Sequence, residues 1–284
     1  MDVERLGGRT ALVTGGASGI GRATALALAR RGASLVVCDV NEEGLAAVAA
    51  EIRGLGVDVL TRKVDVSRAE EMEAFADAVH ARVEAVDLLV NNAGVGLAGG
   101  TLHTTLEDWR WIVGINLFGV IHGCHFFVPA MVRHARGGHV VNVSSAAGYV
   151  ASESLAAYAT TKFGVFGFSE ALRQELAPHG VGVTTVCPGI INTPITASSP
   201  MRGPYATPEM RTYVVGSYQR RNYPPERVAE NILRAVQRDR AVAPISPEAW
   251  VMYFLKRLSP GLVARLNRRV TEQAQRAIAA AAGR

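Results

Sequence analysis

The chain has 284 residues, of which 49% are hydrophobic and 19% charged, enough apolar material to bury one sizeable core. The charge is uneven, because residues 1–219 carry 17 basic and 20 acidic side chains whereas residues 220–284 carry 13 and 5. A main domain that is not basic argues against nucleic acid as a partner. The sequence shows no leader-like or membrane-spanning apolar run, which predicts a cytoplasmic protein.

Short apolar runs alternate with helical patterns from Thr10 to about Ala243. The runs are nearly continuous, which is typical of parallel strands covered on both faces. Seven strands are predicted, at Thr10–Thr14, Ser34–Cys38, Val57–Val64, Asp87–Val90, His139–Val143, Val181–Cys187 and Ala241–Pro244. The helical patterns between them are Gly19–Arg31, Glu42–Gly54, Glu70–Glu84, Leu106–Arg133 and Leu155–His179. This order predicts an α/β fold, a doubly wound seven-stranded parallel sheet with helices on both faces.

A glycine-rich turn, Thr14 to Gly21, joins the first strand to the first helix. Glycines let a backbone turn tightly and approach a pyrophosphate, and a helix start supplies N–H groups and a positive dipole end. A purely structural need for glycine is the alternative. The position of the turn at the first strand–helix junction favours a Rossmann-type dinucleotide site.

Asp39 closes the second strand, 18 residues after Gly21. A carboxylate at this place accepts hydrogen bonds from the adenosine ribose and would repel a 2′-phosphate, so we predict NAD rather than NADP as the cofactor. A strand-end aspartate that caps the next helix is the alternative interpretation.

Tyr158 and Lys162 lie four residues apart in a predicted helix and hence on one face. A lysine cation near a phenol favours the phenolate and lowers the pKa of the tyrosine, which then serves as acid or base near neutrality. Ser145 follows the strand His139–Val143, at the end of the sheet where ligands gather, and its hydroxyl is placed to donate to a developing alkoxide. Ser144 is adjacent, and the spacing favours Ser145.

Metal chemistry is not expected. His122 and His125 lie three apart on a predicted helix but have no nearby carboxylate or thiol partner, so we interpret them as structural. The three cysteines are widely spaced among apolar neighbours, as free buried thiols in a reducing cytosol are. They are Cys38, Cys124 and Cys187.

Thr193–Pro225 is a long segment rich in proline, serine and tyrosine, and we predict that it is irregular and forms a lid. Its apolar and aromatic side chains indicate either a hydrophobic substrate or simple packing of the lid, and its arginines leave room for an acidic substrate. The apolar set is Ile195, Met201, Tyr205, Met210, Tyr213 and Tyr218, and the arginines are Arg202, Arg211, Arg220 and Arg221.

Residues 246–284 are predicted to form two basic amphipathic helices, each opened by a Ser-Pro pair. In the second helix Leu262, Val263, Leu266 and Val270 share a stripe, and Arg265, Arg268, Arg269 and Arg276 lie mostly elsewhere. We expect these helices to pack on protein. The alternatives are that they cover the substrate mouth or make peripheral contact with a membrane. The chain thus divides into a catalytic domain at 1–245, with its lid at about 193–225, and the C-terminal helices.

Several motifs occur in an order typical of one family. They are Thr-Gly-x-x-x-Gly-x-Gly at 14–21, Asn-Asn-Ala-Gly at 91–94, a helix asparagine at Asn116, Ser145, Tyr-x-x-x-Lys at 158–162 and Pro-Gly at 188–189. With these motifs the chain resembles the short-chain dehydrogenase/reductase family across roughly residues 8–245. It departs from the pattern only at the end, where the minimal family chain finishes shortly after its last strand.

The resemblance implies a role for each matching residue. Tyr158 would be the catalytic acid/base, Ser145 would polarise the substrate oxygen, and Lys162 would bind the nicotinamide ribose while tuning Tyr158. Asn116 would hold a water that links Lys162 to solvent, and Asn91 would shape the cofactor cleft. The residues expected to contact NAD are Gly15, Ser18, Gly19, Ile20, Gly21, Asp39, Asp65, Val66, Asn92, Ala93, Gly94, Tyr158, Lys162, Pro188, Gly189, Ile191 and Thr193.

The expected activity is NAD-dependent interconversion of a secondary alcohol and a ketone, with a small hydrophobic molecule as substrate. The resemblance also implies a homodimer or homotetramer built through Leu106–Arg133 and the helix that carries Tyr158. The alternatives are a 3-oxoacyl carrier-protein reductase, a non-catalytic dinucleotide sensor on the same fold, and a membrane-interaction protein with vestigial catalysis.

Overall fold

One parallel sheet organises the chain, whose computed structural model describes residues 1–282 without the side chains of residues 270, 271 and 274–282. The strands are β1 Thr10–Thr14, β2 Ser34–Asp39, β3 Val59–Lys63, β4 Leu88–Asn91, β5 Gly138–Val143, β6 Val181–Pro188 and β7 Val242–Ile245. All pair in parallel, in the order β3-β2-β1-β4-β5-β6-β7. The predicted fold class is confirmed.

Helices cover both faces of this sheet. They are α1 Gly19–Ala29, α2 Glu42–Gly54, α3 Ala69–His80, α4 Leu106–Val113, α5 Gly119–His134, α6 Ala156–Leu176, α7 Ile195–Ser198, α8 Pro208–Arg221, α9 Pro225–Gln237, α10 Pro247–Leu258 and α11 Pro260–Ala282. A π-helical turn, Gly114–Phe118, joins α4 to α5, and short 3-10 turns follow β5 and α6.

The continuous apolar runs supply two cores at once. Val13 and Val90 face an apolar layer shared with α1, α2 and α9, whereas their neighbours Leu12 and Leu89 face a second layer shared with α3, α5 and α6. Successive strand residues point to opposite faces, so a strand buried on both sides needs an apolar residue at nearly every position.

The stretch from Leu106 to His134 is the one helix in the described part of the chain with the length and hydropathy of a membrane span. Its buried side chains, which include Phe127 and Met131, pack in the second layer beside the sheet. The same apolar composition therefore serves a core helix here.

Several expectations need correction. The predicted single helix Leu106–Arg133 contains the π-helical turn. The lid, predicted as irregular, contains α7, a 3-10 turn at Gly203–Tyr205, and the 14-residue α8. Thr207 caps α8 by accepting a hydrogen bond from Met210 N at 3.1 Å, and Pro208 fills its first position.

The two Ser-Pro pairs do open α10 and α11, but the side chain of Ser246 makes no capping hydrogen bond. Ser246 is buried with a φ of 89°, a left-handed conformation that a serine rarely adopts. In α11 the predicted stripe residue Val270, like Arg276, lies outside the described side chains, as do residues 283 and 284 altogether.

A glycine in α5 limits how the helix packs on the sheet. A side chain at Gly123 would overlap the buried amide oxygen of Asn91 on β4, whereas one at Gly167 in α6 would meet open space. We therefore expect Gly123→Ala to lower the free energy of unfolding by about 1–3 kcal/mol and Gly167→Ala to raise it by up to about 1 kcal/mol. Urea unfolding measures both, and equal effects would contradict the packing described.

Candidate active site

Most of the predicted site residues lie at one edge of the sheet. Because all seven strands are parallel, the segments that follow β1, β4, β5 and β6 meet at their carboxyl ends. The order in which successive strands are added to the sheet reverses between β1 and β4, which are neighbours in the sheet but distant in sequence. Ligands of doubly wound sheets bind at such a switch point.

The glycine turn after β1 is tied to the segment after β4. Gly15 has a φ of 64°, and a Cβ there would lie 2.6 Å from Ala93 Cα. The side-chain amide of Asn92 donates to the carbonyl oxygens of Thr14 and Gly15, at 3.0 Å each. Only glycine allows this approach, which holds Asn92, Ala93 and Gly94 against the turn.

The start of α1 fits a pyrophosphate. Ser18 occupies the N-cap position without a side-chain capping bond, and the first turn of α1 carries no acidic residue. Its leading N–H groups and positive dipole end thus face the cleft without a competing carboxylate. A Cβ at Gly19 would lie 3.5 Å from the Thr193 side chain, so the start of the lid reaches the turn.

Asp39 does not cap α2, because Asn41 takes the N-cap position and accepts from Gly44 N. One carboxylate oxygen accepts from Ala17 N in the glycine turn, and the other accepts from Asn41 N, each at 3.0 Å. Each carboxylate oxygen has a second lone pair, so Asp39 retains acceptors for a ribose hydroxyl beside the turn.

The remaining predicted cofactor residues lie around the same edge. Asp65, which accepts from Ser67, and Val66, which packs on α5, follow β3. Pro188 pairs with Ile245 of β7, and Gly189 N donates to the Ile245 carbonyl at 3.0 Å. Ile191 is buried at the start of the lid.

Ser145, Tyr158 and Lys162 come together on α6 and the turn after β5. The Ser145 hydroxyl lies beside Tyr158 and accepts from Ala147 N at 3.1 Å, whereas the buried Ser144 hydroxyl donates to the Lys162 carbonyl at 2.7 Å. Lys162 Nζ donates to the Val143 carbonyl at 3.0 Å and lies 5.7 Å from the centroid of the Tyr158 ring. The geometry gives Ser144 a structural role and leaves Ser145 facing the phenol.

Burial controls the electrostatics of this group. Desolvation raises the pKa of Tyr158 to about 12, and the hydrogen bond with Ser145 opposes that rise. Desolvation likewise lowers the pKa of Lys162 to about 8, because a buried ammonium loses its water. The expectation that the phenol titrates near neutrality is therefore wrong, because burial raises its pKa.

Asn116 lies in the π-helical turn between α4 and α5 and is fully buried. Its amide oxygen accepts a hydrogen bond from Val95 N at 2.8 Å. Its amide nitrogen donates to the Val95 carbonyl at 2.9 Å and to the Thr161 hydroxyl at 3.2 Å. A Cβ at Gly94 would lie 3.2 Å from Asn116 Oδ1 and 3.4 Å from Lys162 Nζ. Asn116 thus fixes the segment after β4 beside Lys162.

Apolar side chains surround Tyr158 on the side away from Lys162. Val95, Leu97 and Trp109 form a cluster with it, and Tyr218 of α8 is buried close enough that its own charge would repel the phenolate. Sequence reasoning missed Leu97 and Trp109, because no motif distinguishes a residue that lines a pocket from one that fills a core.

Ion pairs hold the lid at both ends. Arg202 makes a two-pronged pair with Asp108 of α4, at 2.7 and 3.0 Å, and Arg221 pairs with Glu248 of α10 at 2.8 Å. The Arg202 hydrogen bond lowers the pKa of the Asp108 carboxyl to about 2. Arg211 donates to backbone carbonyls of Ala197 and Ser199. The lid is thus anchored over the site.

The C-terminal helices pack on the turn that carries Ser145. The Tyr149 hydroxyl donates to the Ala249 carbonyl at 2.8 Å, and its ring lies edge-on to Tyr253, with centroids 5.4 Å apart. Val263 of α11 joins the same cluster, and α11 also contacts α8. Residues 246–269 therefore support the catalytic turn and the lid.

Comparison with known proteins identifies relatives over most of the chain. A model of the short chain dehydrogenase family matches residues 9–202. The probable oxidoreductase EphD of Mycobacterium tuberculosis is 42% identical over 252 residues, 87% of this chain but 43% of that protein, so the chain spans less than half of its length. The cyclohexanol dehydrogenase of an Acinetobacter strain is 37% identical over 195 residues, 68% of this chain and 77% of that enzyme.

A solved structure shares the fold almost throughout. It is a short-chain dehydrogenase/reductase from Burkholderia phymatum in complex with NAD, which matches with a TM-score of 0.81 at 30% identity. The match covers 91% of this chain and 96% of that one.

The buried Lys162 ammonium lowers the stability of the fold. Its pKa of about 8 lies below the ordinary value of 10.5, so below pH 8 the folded state bears the full cost of burying the charge, and this cost fades as pH rises towards 10.5. We expect Lys162→Met to raise the free energy of unfolding at pH 7 by about 1–3 kcal/mol, after the loss of the bond to Val143.

Urea unfolding of both proteins at pH 7 and at pH 9.5 measures the difference, which should shrink at the higher pH. The exposed Lys63→Met is the matched control. A Lys162→Met variant less stable than the parent at pH 7 would contradict the assignment.

Proposed function

Because the chain belongs to the short-chain dehydrogenase/reductase family of oxidoreductases, we propose that it is an NAD-dependent enzyme that interconverts a hydrophobic secondary alcohol and a ketone. One observation carries the proposal. The side chains of Ser145, Tyr158 and Lys162 come together, and the Lys162 ammonium lies beside Gly94, in the segment that is held against the glycine turn.

The chain's own groups perform the proton chemistry. In reduction, the hydroxyls of Ser145 and Tyr158 hold the carbonyl oxygen, and Tyr158 donates its proton to that oxygen as negative charge develops on it. In oxidation, Tyr158 takes the proton of the alcohol. The bound nicotinamide cofactor supplies or accepts the hydride. Lys162 stabilises the phenolate, and the surrounding apolar cluster excludes water.

Two features support NAD as the cofactor. The start of α1 and the cradle formed by Gly15 and Asn92 suit a pyrophosphate, and Asp39 presents a carboxylate beside Ala17, where a 2′-phosphate would be repelled. The Burkholderia relative was solved with NAD.

A hydrophobic substrate is supported by the surroundings of Tyr158. Leu97 and Trp109 pack in the same cluster as Tyr158, and the lid contributes Tyr218, which lies close enough to raise the pKa of the phenol. The Acinetobacter relative is a cyclohexanol dehydrogenase, whose named substrate is an apolar secondary alcohol.

The lid arginines, which could have bound an acidic carrier protein, make hydrogen bonds and ion pairs within the chain instead. Arg202 pairs with Asp108, Arg221 with Glu248, Arg211 with backbone carbonyls, and Arg220 donates to the Ser217 hydroxyl. This weakens the case for a 3-oxoacyl carrier-protein reductase. A non-catalytic sensor would need none of Ser145, Tyr158 and Lys162, and the chain has all three.

A homodimer or homotetramer remains part of the proposal. Trp111 of α4, Phe118 in the π-helical turn and Phe163 of α6 are exposed large apolar side chains on the helices expected to meet a second copy. Burial of such a surface favours association.

Removing the phenol hydroxyl tests the catalytic assignment. We expect Tyr158→Phe to lower kcat by at least about 10²-fold, because no group then transfers the proton, while the Kd for NAD stays within about twofold. Tyr213→Phe, which changes an exposed tyrosine of the lid, should retain full activity.

The assay is a screen of secondary alcohols and ketones with NAD and NADP, followed by absorbance of the reduced nicotinamide. Full activity of Tyr158→Phe at neutral pH would overturn the mechanism, and no turnover of any substrate by the parent chain would overturn the proposed function.

Changing the carboxylate at Asp39 tests the cofactor. The parent chain should prefer NAD over NADP by at least about tenfold in kcat/KM, and Asp39→Ala should reduce that ratio by about tenfold, since a carboxylate repulsion is worth on the order of 1–2 kcal/mol. Glu43→Gln, an exposed acid on α2, is the control and should leave the ratio unchanged. A preference of the parent chain for NADP would show the assignment to be wrong.

A further inference from the structure

The C-terminal helices expose large apolar side chains that the fold does not use. On α10, Val251, Phe254 and Leu258 are 63%, 54% and 82% exposed, and their spacing puts them on one side of the helix. On α11, Leu262 and Leu266 are 38% and 43% exposed and lie one turn apart. We call these five residues the apolar stripe.

Packing within the chain does not explain the apolar stripe. On α10 the internal contacts come from the opposite side, through Ala249 and Tyr253, and on α11 they come from Val263, which adjoins the exposed leucines. The apolar stripe is therefore not needed to hold α10 and α11 against the turn that carries Ser145. Clustered exposed apolar side chains of this kind mark an interaction surface.

Basic side chains outnumber acidic ones around the apolar stripe. Residues 247–272 contain five basic and two acidic side chains. The basic ones are Lys256, Arg257, Arg265, Arg268 and Arg269, and the acidic ones, Glu248 and Glu272, pair with Arg221 and Arg268. An exposed apolar side flanked mainly by cations is the composition of helices that lie in the interface of an anionic bilayer.

A basic cavity lies next to the same helix. It has a volume of about 310 Å³, and its lining includes Arg234, Arg238, Arg240 and Trp250. Trp250 stacks on Phe254 of the apolar stripe, with centroids 5.6 Å apart, and the Arg240 guanidinium lies 5.7 Å from the Trp250 ring. The cavity thus adjoins the stripe and presents guanidinium groups suited to a phosphate.

A second copy of the chain fits this surface poorly. A two-fold contact would bring the stripe of one copy against that of the other, and with it five cations against five. The two acids of these helices, Glu248 and Glu272, already pair with Arg221 and Arg268 of their own chain. An anionic surface satisfies the apolar stripe, the cations and the basic cavity together. A tryptophan between apolar and charged groups is also typical of a membrane interface.

We propose that α10 and α11 dock the chain on an anionic phospholipid surface, with the apolar stripe in the interface and a lipid phosphate in the Arg234–Arg238–Arg240 cavity. This surface is distinct from the catalytic cleft and acts whether or not the proposed dehydrogenase activity is correct.

Co-sedimentation of the 284-residue chain with vesicles tests the proposal. Vesicles of phosphatidylcholine mixed with phosphatidylglycerol should sediment the chain, those of phosphatidylcholine alone should not, and added salt should release it. The triple variant Lys256→Gln, Arg265→Gln, Arg269→Gln should bind at least about tenfold more weakly, as should Phe254→Ser with Leu258→Ser.

The matched control removes three exposed charges elsewhere, Arg53→Gln, Arg110→Gln and Arg136→Gln, and should bind like the parent. Circular dichroism and the thermal midpoint establish that each variant is folded. The proposal would be overturned if the parent chain did not sediment with the anionic vesicles, or if the control variant lost as much vesicle binding as the triple variant. It would also be overturned if the Phe254 and Leu258 variant had a lower molecular mass by light scattering but unchanged vesicle binding. The last outcome would assign the stripe to a second copy.

Discussion

The buried ammonium of Lys162 is the interaction on which the arrangement of the site depends. It bonds the Val143 carbonyl at the end of β5, lies close to Gly94 after β4, and belongs to α6 together with Tyr158. A single cation therefore fixes three elements relative to one another. A cation held without water is unstable by itself, so the rest of the fold must hold it in place. Such tension between stability and activity is common at catalytic sites.

The parallel sheet supplies that support. Because every strand runs the same way, the glycine turn, the 92–94 segment, Ser145 and the start of the lid all reach one edge without long connections. Two layers of apolar side chains lock the strands from both faces. The lid is then fastened over that edge by Arg202 to Asp108 and by Arg221 to Glu248, and the second pair joins it to the C-terminal helices. The lid and the C-terminal extension are thereby connected.

The fold and the family were predictable from sequence because both depend on local pattern. Strands buried on both faces produce continuous apolar runs, and the order of motifs identified the family, which the comparisons confirm. The π-helical turn at Asn116 was missed because an added residue in one turn leaves the apolar composition of a helix unchanged. The helix α8 was missed although Thr207 and Pro208 signalled its start. The pKa of Tyr158 was misjudged because it depends on burial, which spacing along a helix does not reveal.

The central claim is that burial controls the ionisation of the Tyr158 phenol and keeps it protonated as the proton donor of the site. The direct measurement is the titration of the Tyr158 ring by NMR of the chain labelled at the tyrosine phenolic carbon, with Tyr158→Phe assigning the resonance. The account predicts that the phenol stays protonated through the neutral range and that the phenolate signal appears only near pH 12. A phenolate signal at neutral pH would contradict it.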